Sequence, residues 1–305
     1  MSDTGPSEEE LELLIIQRTG SRHPDDYPEN LYHYTSSAAF LSIVASGELW
    51  FSDFRYLNDL SELKYGVDLF RAELAARLDV ETDNYSRFLL QAMRNHFEEA
   101  VLQTDQFVFC MCSENNLLNQ WRVYGKDTVP LSVEFATRGF MFVNWEPNQF
   151  DLVPMVYEEA MQKRIINETI STGIEYYHKH LFAIITDKIS LKKFVEMFGS
   201  VCVDWCAAMK HPQFEVEKEW RLAVRWRSGP RYMRGQKFRS TSIGIVPYLP
   251  VRPNDENLGN DLPIRSVTIG PCAYPEIQRQ TIKDLLCQHN KANADVHLSN
   301  LPIRI

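Results

Sequence analysis

FEVEKEWRLAVR, residues 214–225, alternates apolar and charged side chains and reads as an extended strand. One face carries Phe214, Val216, Trp220, Leu222 and Val224, with Lys218 the exception. The other carries Glu215, Glu217, Glu219 and Arg221. Three carboxylates on one strand face repel one another, so such a face is either fully solvated or built for a site.

The composition narrows the setting. A chain of 305 residues with 44% hydrophobic and 24% charged residues has the make-up of a well-cored soluble protein of one large or two modest domains. Its net charge of -9 supplies no general field for phosphate, so any nucleic-acid contact needs a local basic patch. The candidates are Arg225, Arg227, Arg231, Arg234, Lys237 and Arg239, which equally suit a solvated cationic strand pair. The six cysteines lack the paired spacing of a structural zinc site, and no metal is expected. The opening MSDTGPSEEE has no basic or apolar targeting segment, and no apolar run is long enough to cross a bilayer. A cytoplasmic location with free thiols is the expectation, with no membrane partner.

In chain order, residues 1–28 read as an acidic tail and a short helix, with Ser7 and Glu10 forming a capping box. Residues 29–305 read as one α+β domain with a mostly helical insertion over about 155–210. LYHYTS is a strand with Leu31, His33 and Thr35 on one face and Tyr32 and Tyr34 on the other. SAAFLSIVAS follows as a helix with Phe40, Leu41 and Val44 buried, capped by Thr35 or Ser36 and stopped by Gly47. ELWFS is the next strand. Amphipathic helices are expected over 61–78 and 85–102, the second burying Phe88, Leu89, Met93, Phe97 and Val101. QFVFCMCSE and VPLSVEF are strands around the short helix of NNLLNQWRVYG. The remainder is rich in strands and closes on a β-α-β unit, from IRSVTIG to DVHLS.

Several residue groups carry chemistry. An imidazole and a hydroxyl at His33-x-Thr35 stand together at a strand end, where they suit a ribose or an amide, or simply a packed histidine beside a helix cap. Asn58-Asp59 with Glu62 suits a helix N-cap and first-turn acid. Trp121 and Tyr124, one turn apart, suit a core face better than a stacking platform. His178 and His180 point apart on a helix and make no metal pair.

These pieces occur in an order that carries a resemblance. LYHYTSSAAFLSIVASGELWFSDFRYLND (31–59) with Glu62, FCMCSENNLLNQWRVYG (109–125), FEVEKEWRL (214–222) and the closing SVTIGP and SNLPIR resemble the bacterial domain-of-unknown-function family 2971, over roughly residues 29–305. More loosely, the opening block and the acidic strand resemble ADP-ribosyltransferase toxins of the His-x-Thr … Glu type. That resemblance implies a split two-sheet core with a helical insertion, with NAD as substrate between the His33 and Glu219 strands. It implies Glu219 as the catalytic carboxylate and Glu217 orienting the acceptor, or the two roles exchanged. His33, Thr35, Ser52, Tyr56, Asn58 and Arg221 would hold NAD. The acceptor would be nucleic acid or protein, in a toxin or phage-defence role. A non-catalytic module sensing a nucleotide or a nucleic-acid end is the alternative on the same fold. The chain departs from the toxins in lacking a glycine-rich phosphate loop and in its Glu-x-Glu-x-Arg pattern.

Overall fold

Strand-forming sequence lies on both sides of a helical middle, and the chain divides along that line. The computed structural model describes residues 6–19, 27–57, 61–103, 105–125, 129–141, 145–146, 150–186, 188–226, 235–241, 244–254 and 261–301. One compact unit takes residues 1–25, 57–105 and 155–214; the other takes 26–56, 106–154 and 215–305. Helices fill the first and strands dominate the second, an α+β segregation. The expected acidic tail before residue 6, most of the polar linker after α1, and Asn58-Asp59 lie outside the described residues.

The helical unit contains α1 (Glu8–Thr19), α3 (Ser61–Val80), α4 (Asn84–Gln103), α7 (Glu159–Lys179), α8 (Leu181–Thr186) and α9 (Lys188–Ala208). Its centre is α9, whose Phe194, Phe198, Val201, Cys202 and Cys206 are buried. Residue 66 on α3 is glycine because the two helices meet there: a Cβ would stand 2.3 Å from the Cys206 carbonyl oxygen. The capping serine is in place, with Ser7 Oγ accepting from the Glu10 amide at 3.5 Å. Leu11 and Ile15 are buried, and the Tyr176 hydroxyl on α7 donates to Glu10 Oε2 at 2.7 Å. On α4 the apolar stripe runs through Leu89, Leu90, Met93 and Phe97, and Phe88, expected inside, is exposed one position off it.

The second unit is built on strands β1 (Asn30–Ser36), β2 (Leu49–Asp53), β3 (Asp105–Cys112), β4 (Pro130–Ala136), β5 (Trp145–Glu146), β6 (Asp151–Pro154), β7 (Glu219–Trp226), β8 (Lys237–Thr241), β9 (Gly244–Pro253), β10 (Ile264–Ile269) and β11 (Asp295–Leu298). They run in the order β11-β10-β4-β1-β3-β2-β9-β5, with β7 on β3, β6 on β7 and β8 on β9. Helices α2 (Ser37–Ser46), α5 (Leu118–Tyr124), α6 (Arg138–Met141) and α10 (Pro275–Gln288) accompany them. The Ser36 side chain caps α2, and Gly47 ends it at φ +66°, a left-handed conformation that glycine adopts freely. Ile43 takes the buried place expected for Leu41, which is exposed. The closing β-α-β unit is present, with β10 and β11 parallel across α10.

Two details of the sheet position the site. β1 is fully laddered to β4 over seven residue pairs, but it meets β3 at the single pair Tyr32–Cys112. Four strands thus lie on one side of a near-complete parting.

The second detail corrects the reading of 214–225. Pro212–Glu217 forms a 3-10 turn, Lys218 takes φ +47°, and the strand starts only at Glu219. Proline tolerates the start of such a turn, the Lys218 amide closes it on the Glu215 carbonyl at 3.0 Å, and the Lys218 carbonyl then accepts from the Ser113 amide at 2.9 Å. The three carboxylates therefore do not share a strand face. Glu215 is exposed, Glu217 is half-buried, and Glu219 is buried on β7.

Candidate functional site

Alternation sorts the faces of the sheet around β2. Leu49, Phe51, Leu222, Val224, Leu249 and Val251 lie in one apolar core with Phe107 and Phe109. Their sequence neighbours Trp50, Ser52, Arg221 and Tyr248 turn to the opposite face, and Glu219, two residues before Arg221 on β7, turns with them. Ser52 and Tyr248 are directly paired across β2 and β9.

On that face Glu219 and Arg221 form a buried ion pair. Arg221 Nε donates to Glu219 Oε1 at 2.6 Å, and the two residues are 2% and 6% exposed for arginine and glutamate respectively. The guanidinium also lies 5.3 Å over the Phe54 ring. A carboxylate buried alone would carry a large desolvation cost, and the adjacent guanidinium is what allows a charged one at this depth.

Arg239 on β8 is a second cation in different company. Its Nη2 donates to Ser52 Oγ at 2.6 Å, and its guanidinium lies 5.8 Å from the Trp50 ring centre and 5.7 Å from that of Tyr248. No carboxylate pairs with it among the described residues. Burial lowers its pKa, and the nearby Tyr248 and Tyr124 act in the opposite direction. Arg239 Nε and Trp50 Nε1 are both buried without a hydrogen-bond partner.

Tyr124, at the end of α5, packs beside Trp121. Burial pushes its phenol well above the ordinary tyrosine range, with Cys110, Cys112, Glu219 and Glu217 adding to the shift. Trp121 on the same helix is wholly buried against Tyr34 and Cys112, its indole donating to Asn116 Oδ1 at 2.9 Å. Trp121 is therefore core, as its helical spacing suggests, and Tyr124 packs partly buried against the same cluster.

His33 sits where β1 and β3 part. Its Nδ1 lies 2.8 Å from the Cys110 carbonyl oxygen, and its ring stacks on Phe109 at 4.1 Å between centres. Since a carbonyl only accepts, Nδ1 carries the proton and Nε2 presents a lone pair. Burial drives the pKa down to about 4, the Cys110 bond opposes the shift, and the Arg239 charge adds to it, so the ring is neutral at pH 7.

Of the residues expected to form the site, Ser52 is joined to Arg239 and Glu219 to Arg221 by hydrogen bonds, while His33 packs on Phe109 of the core and Glu217 lies half-buried in the turn before β7. Thr35 is buried opposite Leu131 of β4. Tyr56 is exposed on the 3-10 turn after β2. Asn58 lies outside the described residues, as do Arg227, Arg231 and Arg234 of the expected basic patch. Trp50, Tyr124, Arg239 and Tyr248 had not been expected in the site. Alternation along ELWFS puts Trp50 beside Ser52, but nothing local to residue 239 pairs its strand with β2.

Among the described residues no cluster of three or more His, Cys, Asp or Glu could hold a metal ion, and no helix is long and apolar enough to cross a membrane. No curated protein and no solved structure matches the chain. Residues 120–222, which include Tyr124, Glu219 and Arg221, match the model of a family described as a protein of unknown function, DUF2971.

Proposed function

We propose that the protein is an NAD-consuming mono-ADP-ribosyltransferase, built on the split two-sheet core of that class, with its site on the face bearing Trp50, Ser52, Tyr124, Glu219 and Arg239. One observation carries this reading most. A buried carboxylate, Glu219, is paired with Arg221 on the sheet face that also bears Ser52 and Trp50 beside Arg239. The near-complete parting accords with the split core that the sequence resemblance implies.

The residues present fit a nucleotide of this kind. Buried N–H groups on Trp50 and Arg239 without partners favour a polar, anionic ligand, and the Nε2 lone pair of a neutral imidazole suits a ribose hydroxyl. NAD would supply a ribose–nicotinamide bond whose cleavage builds positive charge on the sugar, as in glycoside cleavage. Glu219 would face that charge as an anion, preorganised by Arg221. Glu217, half-buried one step before β7, would orient the acceptor. Nucleic acid or protein is the acceptor that the resemblance suggests, in a toxin or phage-defence setting.

A non-catalytic nucleotide-sensing module on the same fold is the second reading, favoured by the commitment of one Glu219 oxygen to Arg221. Nicotinamide release separates the two. Purified protein incubated with NAD, alone and with cell lysate as an acceptor source, releases nicotinamide if it is a transferase. NAD binding without release under either condition overturns the enzymatic reading and leaves the sensor.

A further inference from the structure

We infer that Arg239, with Ser52, Trp50 and Tyr248, forms a phosphate-binding subsite, and that its ligand is the diphosphate of a nucleotide; the nucleotide identity rests on the function proposed above. The geometry points to an oxyanion. Arg239 is held in place by Ser52 Oγ at 2.6 Å and flanked by the Trp50 and Tyr248 rings, so its planar fork is fixed before any ligand arrives. It has no carboxylate partner among the described residues, although a guanidinium taken out of water normally acquires one.

Two donors add to the case. Arg239 Nε and Trp50 Nε1 are pure N–H donors, both buried and both without an acceptor. Buried donors of this kind are nearly always satisfied, and these two belong to rings and guanidinium in contact with one another. Ser52 Oγ accepts from Arg239, which leaves its own hydroxyl hydrogen available to the same ligand. A cluster that offers only donors and one positive charge recognises an anion with several acceptor oxygens, and phosphate matches the guanidinium fork. The flanking aromatic faces give a neighbouring base or nicotinamide ring a surface on which to stack.

The test is equilibrium binding of ADP, inorganic pyrophosphate and adenosine to the full chain, to Arg239→Gln and to Trp50→Phe. Trp50→Phe keeps an aromatic ring while removing the indole N–H, and melting curves establish that each variant is folded. ADP and pyrophosphate should bind the parent, with ADP binding weakened tenfold or more in Arg239→Gln, less in Trp50→Phe, and adenosine binding unchanged. Raising salt should weaken ADP binding to the parent and not adenosine binding. Equal ADP affinity in parent and Arg239→Gln, or no binding of either phosphate compound to the parent, overturns the subsite. If nicotinamide release is present but its KM for NAD is unmoved by Arg239→Gln, the subsite fails and the transferase stands. If ADP binding depends on Arg239 but no nicotinamide is released, the subsite stands and the transferase fails.

Discussion

Replacing Glu219 with Gln changes one atom's chemistry and removes the negative charge that faces the buried Arg221 guanidinium. Arg221 is 2% exposed, and its Nε bond to Glu219 is 2.6 Å long. Removing one partner of a buried ion pair typically costs about 3–5 kcal/mol because the other charge stays desolvated. The amide oxygen of Gln still accepts one hydrogen bond, which puts the expected loss near the low end, about 3 kcal/mol. At roughly 2–4 °C per kcal/mol for a domain of this size, the melting temperature should fall by about 6–12 °C. Had Glu215, Glu217 and Glu219 crowded one strand face, neutralising Glu219 would have relieved repulsion and left the melting temperature level or higher. The assay is thermal melting of Glu219→Gln, Arg221→Met and the double variant, with exposed Glu215→Gln as a control expected within about 0.5 kcal/mol of the parent. The double variant should lose much less than the sum of the singles, since both charges are gone together. Additive losses, or a Glu219→Gln protein that melts like the parent, would refute the paired-charge account.

Three further outcomes follow from particular positions. Trp121→Ala, which empties a wholly buried indole site, should cost about 3–5 kcal/mol in denaturant unfolding without altering ligand contacts directly. Gly47→Ala, at φ +66° with nothing near its missing Cβ, should cost about 1 kcal/mol through backbone strain alone, a loss that Gly47→Asn should partly avoid. His33 binds its proton less readily when folded, with a pKa of about 4 against about 6.5 unfolded, so the unfolded chain takes up more protons between those values. Its contribution is therefore complete above about pH 6.5 and is lost as pH falls towards 4, by up to about 3 kcal/mol. Between about pH 6.5 and about pH 4 the unfolding free energy of the parent should fall more steeply with decreasing pH than that of His33→Gln; identical pH slopes for the two proteins would exclude it.

Much of the local structure is readable from residues alone, because caps, glycine stops and apolar periods act within a few positions. Ser36 and Gly47 bound α2, and the alternation of Trp220, Leu222 and Val224 correctly opposes Glu219 and Arg221. The errors arise where alternation continues past the point at which the ladder ends. Phe214–Glu217 has the pattern of a strand, but Pro212 and the left-handed Lys218 make it a turn, which separates Glu215 from Glu219. The site itself was half legible. His33, Ser52, Glu219 and Arg221 carry recognisable chemistry, whereas Arg239 enters only because β8 pairs β9 and β9 pairs β2, a long-range register with no local signature. Trp121 and Tyr124, one turn apart, read as core from their spacing alone, and both pack in the cluster with Tyr34 and Cys112.

The central claim is that Glu219 acts on bound NAD, and the most direct measurement is nicotinamide production at saturating NAD by the parent and by Glu219→Gln, below the variant's melting temperature and alongside the dissociation constant of NAD for each. The account predicts release by the parent, a fall of about a hundredfold or more in turnover for the variant, and a dissociation constant changed by only a few-fold, because the charge matters chiefly in the transition state. Equal turnover in parent and variant, or no nicotinamide from the parent with any acceptor supplied, would contradict it.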